Sequence, residues 1–400
     1  DAVRIKYASK YQGSSNYWKN SIGMNRGLAN LNVFERKQEQ EKEFAAWVAQ
    51  SPQRQEKYGE VLTLLEKGYT GSNEYRQIAT YLSEAFAGGA EIIKLARMVQ
   101  SVDVQNSTPE EIDYILENQI KDFFKDYEAS LDQKVLGAMM EVVKKRVPAQ
   151  YLPDIYPSID KKYKGDYARY AADLFKKTSF TSIDKVAEAL KNPAKYEKLK
   201  QDPAYKLSLS VLISLFEMQQ FLGETQFDIA KGERLYFAGL KEMYPDKALS
   251  SDANFTMRVS YGSVGGYQPY DAAWYTYYTT TKGVFEKEDP KSDEFWVQPE
   301  ILDLLKRKDF GQYGNGNGDM NLCFLSNNDI TGGNSGSPVF DKNARLIGLA
   351  FDGNWEAMSG DIAFEPELQR TISVDIRYVL FMIDKWGKCP RLINELKLVK

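Results

Sequence analysis

Residues Gly332–Val339 read Gly-Gly-Asn-Ser-Gly-Ser-Pro-Val, and the continuation Val339-Phe340, Asp341-Lys342-Asn343-Ala344, Leu346-Ile347-Gly348-Leu349-Ala350-Phe351 reads as strand, turn and strand. A serine set between glycines and succeeded by an apolar hairpin is the pattern of a nucleophile loop. Gly333 and Gly336 permit backbone conformations closed to other residues, so the loop can expose the Ser335 hydroxyl and turn its N–H groups inward. Ser335 is then the expected nucleophile, and the N–H groups of Gly333 and Ser335 are the expected oxyanion hole. A bare Gly-x-Ser-x-Gly is common; the longer Gly-Asn-Ser-Gly-Ser-Pro with its hairpin is what makes the reading specific.

The same 400 residues contain no histidine. Acyl transfer by serine needs a base for the hydroxyl proton, and imidazole is the usual one because its pKa lies near working pH. The base is therefore expected from residues outside this sequence, or else the motif is not catalytic. The sequence opens Asp-Ala-Val-Arg, without an initiator Met or a charged-then-apolar leader, which fits a processed protein or an excised fragment.

Composition narrows the partners. With 43% apolar and 27% charged residues the chain is of globular type and long enough for more than one core. A net charge of −4 provides no basic footprint for nucleic acid or an anionic membrane. The most apolar stretch, Leu207–Leu222, is interrupted by Ser208, Ser210, Ser214, Glu217, Gln219 and Gln220 and does not read as a membrane span. Cys323 and Cys389 are too few for a disulfide framework and read as two unrelated buried thiols. Without histidine or metal-ligand spacing, no metal and no cofactor are expected.

From residue 27 to about 245 the periodicity is helical. Ile112, Ile115, Leu116, Ile120, Phe123, Phe124 and Tyr127 form one apolar stripe, and Thr108-Pro109-Glu110-Glu111 opens that helix as a capping box. Further stripes are Tyr58, Val61, Leu62, Leu65, expected to end near Gly68, and Val135, Leu136, Met139, Met140, Val143, expected to end near Pro148. Near residue 250 the period changes to two. Thr256–Tyr261 and Trp274–Thr281 are expected strands, Gly314–Asp319 a flexible loop, and a last amphipathic helix comes after Asp375 with Ile376, Val379, Leu380 and Ile383 on one face.

In a chymotrypsin-like double barrel the chain order is His, Asp, Ser, and the interval from residue 250 to Ser335 holds only part of one barrel. The helical block thus reads as an insertion. The resulting fold class is α+β multidomain: the C-terminal part of a chymotrypsin-like double β-barrel, at 252–400, with a large inserted α-helical cap at 1–251.

Tyr7-Ala8-Ser9-Lys10-Tyr11-Gln12-Gly13-Ser14-Ser15-Asn16-Tyr17-Trp18-Lys19-Asn20, Tyr261-Gly262-Ser263-Val264-Gly265-Gly266-Tyr267, the Ser335 loop and Phe351-Asp352-Gly353-Asn354-Trp355-Glu356 together resemble bacterial dipeptidyl-peptidases of the 7 and 11 type, end to end. The resemblance implies a periplasmic or cell-surface homodimer of a Gram-negative bacterium that takes peptides with a free N-terminus and releases dipeptides. It implies Ser335 as nucleophile, with the family's His and Asp matching nothing in this sequence. Asp352 matches the residue that binds the substrate α-amino group, a fit for a fixed negative charge. Asn16 matches an assisting asparagine on the cap, with Asn20 as the alternative. Gly353 matches the position where acidic-specific members carry arginine, so an uncharged, roomier pocket preferring hydrophobic residues at the second substrate position is expected. Asp329, six residues before Ser335, is a rival pocket base that would favour Lys or Arg. A glutamyl endopeptidase and a non-catalytic pseudoprotease scaffold are the alternatives from other classes.

Overall fold

The computed structural model of the chain describes residues 2–247, 256–292 and 294–399. Two compact units share them, Asp1–Gln12 with Glu41–Leu249, and Gly13–Gln40 with Ser250–Lys400. The boundary expected at 251–252 lies outside the described residues. One division was not legible in the sequence: residues 13–40 group with the C-terminal unit. The physical reason is α1 (Ala2–Asn30), a 29-residue helix whose first residues are held by one unit and the remainder by the other.

The helical unit is built on the 41-residue helix Pro203–Met243, opened by Asp202, which accepts a hydrogen bond from the Ala204 N–H, with Pro203 in the first turn. It packs along the helix Val61–Leu82. Gly68, expected to end a helix, instead sits buried inside this one. A Cβ there would stand 2.6 Å from Ile229 Cγ1, so glycine serves close approach of two helices rather than termination. Tyr58 closes a separate helix, Pro52–Tyr58.

The helix at Thr108 begins as the sequence predicts: the Thr108 N–H donates to Glu111 Oε2 at 2.8 Å, and the Glu111 N–H donates to Thr108 Oγ1 at 3.2 Å. Ile112, Leu116 and Ile120 of its stripe are buried. The helix Ala129–Arg146 stops just before Pro148 and buries Leu136, Met140 and Val143. Asp132 on that helix caps the helix Glu91–Gln100, accepting from the Glu91 and Ile92 N–H groups at 2.7 Å each. Lys6 of α1 donates to Glu91 Oε2 and to Asp126 Oδ1, both at 2.9 Å, and Lys10 pairs with Glu91 as well.

The C-terminal unit carries a five-stranded antiparallel sheet in the order β1-β2-β5-β4-β3. The strands are β1 (Tyr278–Thr280), β2 (Asn321–Ser326), β3 (Pro338–Phe340), β4 (Leu346–Gly353) and β5 (Thr371–Asp375). The predicted hairpin is β3–β4, with Pro338 opposite Leu349. Two strand expectations shrink. Of Trp274–Thr281 only β1 remains, with Tyr275 in an isolated bridge to Tyr267. Among the described residues, Thr256–Tyr261 joins no ladder, and Met257, Val259 and Tyr261 are 95%, 82% and 91% exposed. Alternation is a property of a half-covered sheet, and without a covered face it specifies no strand.

Asp375 caps the helix Ile376–Phe381 by accepting from the Arg377 N–H at 2.9 Å. This helix, expected to be the last, is succeeded by Pro390–Asn394. Gly314–Asp319 is a loop, closed by the Asn315 N–H donating to the Asp319 carbonyl at 2.8 Å. The two cysteines are free; Cys323 is half-buried, with burial raising its thiol pKa, whereas Cys389 is exposed rather than buried as expected. Among the described residues no helix is long and apolar enough to cross a membrane.

Candidate active site

The loop before β3 adopts the backbone its glycines allow, with φ of +100° at Gly333 and +86° at Gly336. Its shape is set locally. The Asn334 N–H donates to the Thr331 carbonyl at 3.2 Å, the Ser337 N–H to the Asn334 carbonyl at 2.9 Å, and Asn334 Nδ2 to the Thr331 carbonyl at 2.9 Å. Among the described residues the N–H groups of Gly333 and Ser335 donate to no backbone carbonyl, and Ser335 is exposed. Uncommitted N–H groups beside an exposed hydroxyl are what an oxyanion hole requires.

Pairing with β4 brings this loop to the second expected group. The Gly336 N–H donates to the Ala350 carbonyl at 2.7 Å, and the Ala350 N–H donates to the Ser337 carbonyl at 2.9 Å. Asp352 lies two residues beyond Ala350. Between them the β4–β5 register slips, so that Ala350 opposes Ser373 and Asp352 opposes Ile372, leaving Phe351 as a bulge. A bulge at a strand end re-aims the next side chain. Asp352 is exposed, and its Oδ1 accepts from the Gly353 N–H at 2.8 Å.

Gly353 is half-buried, and the space beside it is smaller than expected: a Cβ there would lie 2.9 Å from the Ala357 Cβ. The glycine accommodates the 3₁₀ turn Trp355–Ser359, which folds back over the end of β4. That turn is anchored by a polar hub that sequence reasoning missed. Asn354 is buried and donates to the Leu368 carbonyl at 2.7 Å and to Glu356 Oε2 at 2.9 Å, while its Oδ1 accepts from the Arg370 N–H at 2.8 Å. Tyr267 donates to Glu356 Oε2 at 3.1 Å, and burial pushes its hydroxyl up to about 12. The buried Arg370 guanidinium donates to the Gly266, Pro366 and Gln369 carbonyls at 3.0, 2.8 and 2.7 Å. Polar residues closing an apolar strand, here Asp352, Asn354 and Glu356, are the signal that points to such a hub.

Asn20 lies against this same turn, with Nδ2 donating to Met358 Sδ at 3.1 Å. Asn16 is exposed one turn earlier on α1. The structure therefore brings Ser335, Gly333, Asp352 and Gly353 to one end of the β3–β4 hairpin. It brings Asn20 to the neighbouring turn and puts Asn16 on the helix face that runs on from it. Asp329 is on the loop after β2, next to Asn328, whose carbonyl accepts from Oγ1 of Thr371, the residue opposite Gly353, at 2.7 Å; burial first, then the Asp361 carboxylate, raises the Asp329 carboxyl above the usual value. Asp361, also missed in the sequence, accepts from Thr331 Oγ1 at 2.8 Å. A depression of about 620 Å³ lined by Glu300, Leu304, Arg307, Lys385 and Trp386 contains none of the expected site residues.

The sequence matches the family described as Peptidase S46 over residues 1–398. The chain belongs to peptidase family S46. Dipeptidyl-peptidase 7 of Porphyromonas gingivalis is 56% identical over 402 residues, which are 100% of this chain and 56% of that protein. The Asp/Glu-specific dipeptidyl-peptidase of the same organism is 35% identical over 404 residues, 99% of this chain and 56% of that protein. Among solved structures, Porphyromonas endodontalis DPP11 in complex with the dipeptide Arg-Asp superposes with a TM-score of 0.85 at 32% identity, covering 99% of this chain and 56% of that one. This S46 chain spans about half the length of these relatives.

Proposed function

We propose that this chain is the nucleophile-bearing part of a serine exopeptidase that releases dipeptides from peptides with a free N-terminus. The carrying observation is the loop itself, in which an exposed Ser335 stands beside the uncommitted Gly333 and Ser335 N–H groups, at the strand end that bears Asp352. Ser335 Oγ attacks the carbonyl of the second substrate residue as a base takes its proton. The two N–H groups receive the developing oxyanion, the leaving amine departs protonated, and water releases the dipeptide from the acyl-enzyme. The base and its orienting carboxylate come from outside these residues, which hold no histidine.

Asp352 pairs with the substrate ammonium group, Asn16 assists, and the neutral Gly353 favours a hydrophobic second residue. On this reading the five-stranded sheet is the C-terminal part of a chymotrypsin-like double β-barrel and the helical unit is its cap. The whole protein works as a homodimer in the periplasm or at the cell surface of a Gram-negative bacterium.

The test uses full-length protein on matched dipeptidyl substrates ending in Leu, Asp or Lys, each with a free or an acetylated amino group. Release from free-amine Leu substrates is expected. Equal cleavage of acetylated ones would indicate an endopeptidase, a preference for Lys would promote Asp329, and no cleavage at all would favour a scaffold.

A further inference from the structure

The turn Trp355–Ser359 is in contact with α1 along two helical turns. Asn20 donates to Met358, a Cβ at Gly23 would lie 2.8 Å from Met358 Cγ and 2.9 Å from Met358 Cβ, and a Cβ at Gly27 would clash with the Ser359 side chain. Positions 16, 20, 23 and 27 are spaced by four, three and four, so they share one helix face. Glycine at 23 and 27 lets the helix backbone rest directly on the turn. Any side chain there would lift α1 by roughly 1 Å to restore an ordinary carbon contact of about 3.5–4.0 Å. The turn itself cannot follow, because Asn354, Glu356, Tyr267 and Arg370 bind it to the sheet and its neighbouring loops.

We propose that Met358 is a positioning residue for substrate binding: by seating α1 at a fixed depth on the turn just after Asp352 and Gly353, it holds Asn16 in register with Asp352. This rests on the proposed sharing of the substrate amino group by Asp352 and Asn16. Met358 does not touch the reacting atoms; its thioether and flexible side chain fill the space between helix and turn. A depth error at the amine anchor weakens binding of the free amino terminus. It leaves the chemistry at Ser335 untouched, so the effect belongs in KM rather than kcat.

The experiment measures kcat and KM of full-length protein for a free-amine Leu dipeptidyl substrate in wild type, Gly23→Ala, Met358→Ala and the double variant Gly23→Ala with Met358→Gly. Gly23→Ala is expected to raise KM roughly 10-fold with kcat within about twofold, and adding Met358→Gly should recover most of that loss because it removes both the Cγ and the Cβ that the new methyl meets. Equal KM in folded Gly23→Ala and wild type would overturn the proposal, as would a double variant no better than Gly23→Ala. If Gly23→Ala does not fold, Met358→Ala alone decides: a raised KM supports the seat, and an unchanged KM refutes it. Wild type that releases no dipeptide removes the underlying reading, and the proposal with it; Asp352→Ala retaining full activity removes the anchor pair while leaving a peptidase.

Discussion

Asp352 sits at the end of a strand whose pairing is interrupted immediately before it, and the bulge at Phe351 aims its carboxylate where a strict ladder would not. As the proposed amine anchor its removal should act on binding. Asp352→Ala in the full-length protein is expected to lower kcat/KM for free-amine substrates roughly 30-fold or more, the lower end of the cost of truncating one partner of a charge pair. Steady-state assays on free-amine and acetylated peptides check it; full activity in the variant would remove the anchor. At the adjacent residue the geometry changes what a specificity swap must do. A Cβ at Gly353 meets Ala357 at 2.9 Å, and Ala357 offers no flexible side chain to move aside. Gly353→Arg alone should therefore lose Leu substrates by overpacking, at about 1–3 kcal/mol, without gaining Asp ones. Gly353→Arg with Ala357→Gly should gain Asp and Glu substrates, because a guanidinium pairs with carboxylates through two parallel hydrogen bonds. Matched Leu and Asp substrates decide between these outcomes, and an unchanged preference in the double variant would detach Gly353 from the pocket.

The first three turns of α1 owe their place to one buried carboxylate. Glu91 accepts from Lys6, Lys10 and Tyr7 at the start of a helix whose first N–H groups are already capped by Asp132. Burial by itself would raise the Glu91 carboxyl, but the Lys10 and Lys6 ammonium groups outweigh it and hold the carboxyl below its usual value. A depressed carboxyl contributes stability that is present above the ordinary carboxylate pKa of about 4.3 and is lost as pH falls through the folded value. Glu91→Gln should thus cost roughly 1–3 kcal/mol near neutral pH, the range for leaving hydrogen-bonded charged groups without their partner. Urea unfolding of both proteins from pH 7 to pH 3 should show the gap narrowing toward acid; a constant gap would mean that Glu91 acts by packing alone. Element ends were the most legible part of this sequence. Thr108 with Glu111, and Asp375, declare helix starts within three residues, because caps satisfy backbone donors locally. Gly68 misled for the opposite reason, since its role depends on Ile229, 161 positions away in the chain.

At the scale of the whole molecule, the 400 residues provide the proposed nucleophile loop and no histidine. The chain alone is expected neither to hydrolyse dipeptidyl substrates nor to react rapidly with a fluorophosphonate at Ser335, whereas full-length protein should do both. Mass spectrometry of the labelled serine checks this, and rapid stoichiometric labelling of the 400-residue chain would show that a base is present within it. By itself the sequence determined the helical block, the β3–β4 hairpin and the positive-φ glycines around Ser335. Each is written in neighbouring residues, through hydrophobic period, capping groups or the absence of a Cβ. Only tertiary structure decided that residues 13–40 join the C-terminal unit, that Thr256–Tyr261 joins no ladder among the described residues, and that Gly353 lies under Ala357. Only tertiary structure, too, brings Asn20, Gly23 and Gly27 onto a turn more than 300 residues later in the chain. Such contacts join residues distant in sequence by shape and by shared hydrogen bonds, and no local pattern in either partner records the other.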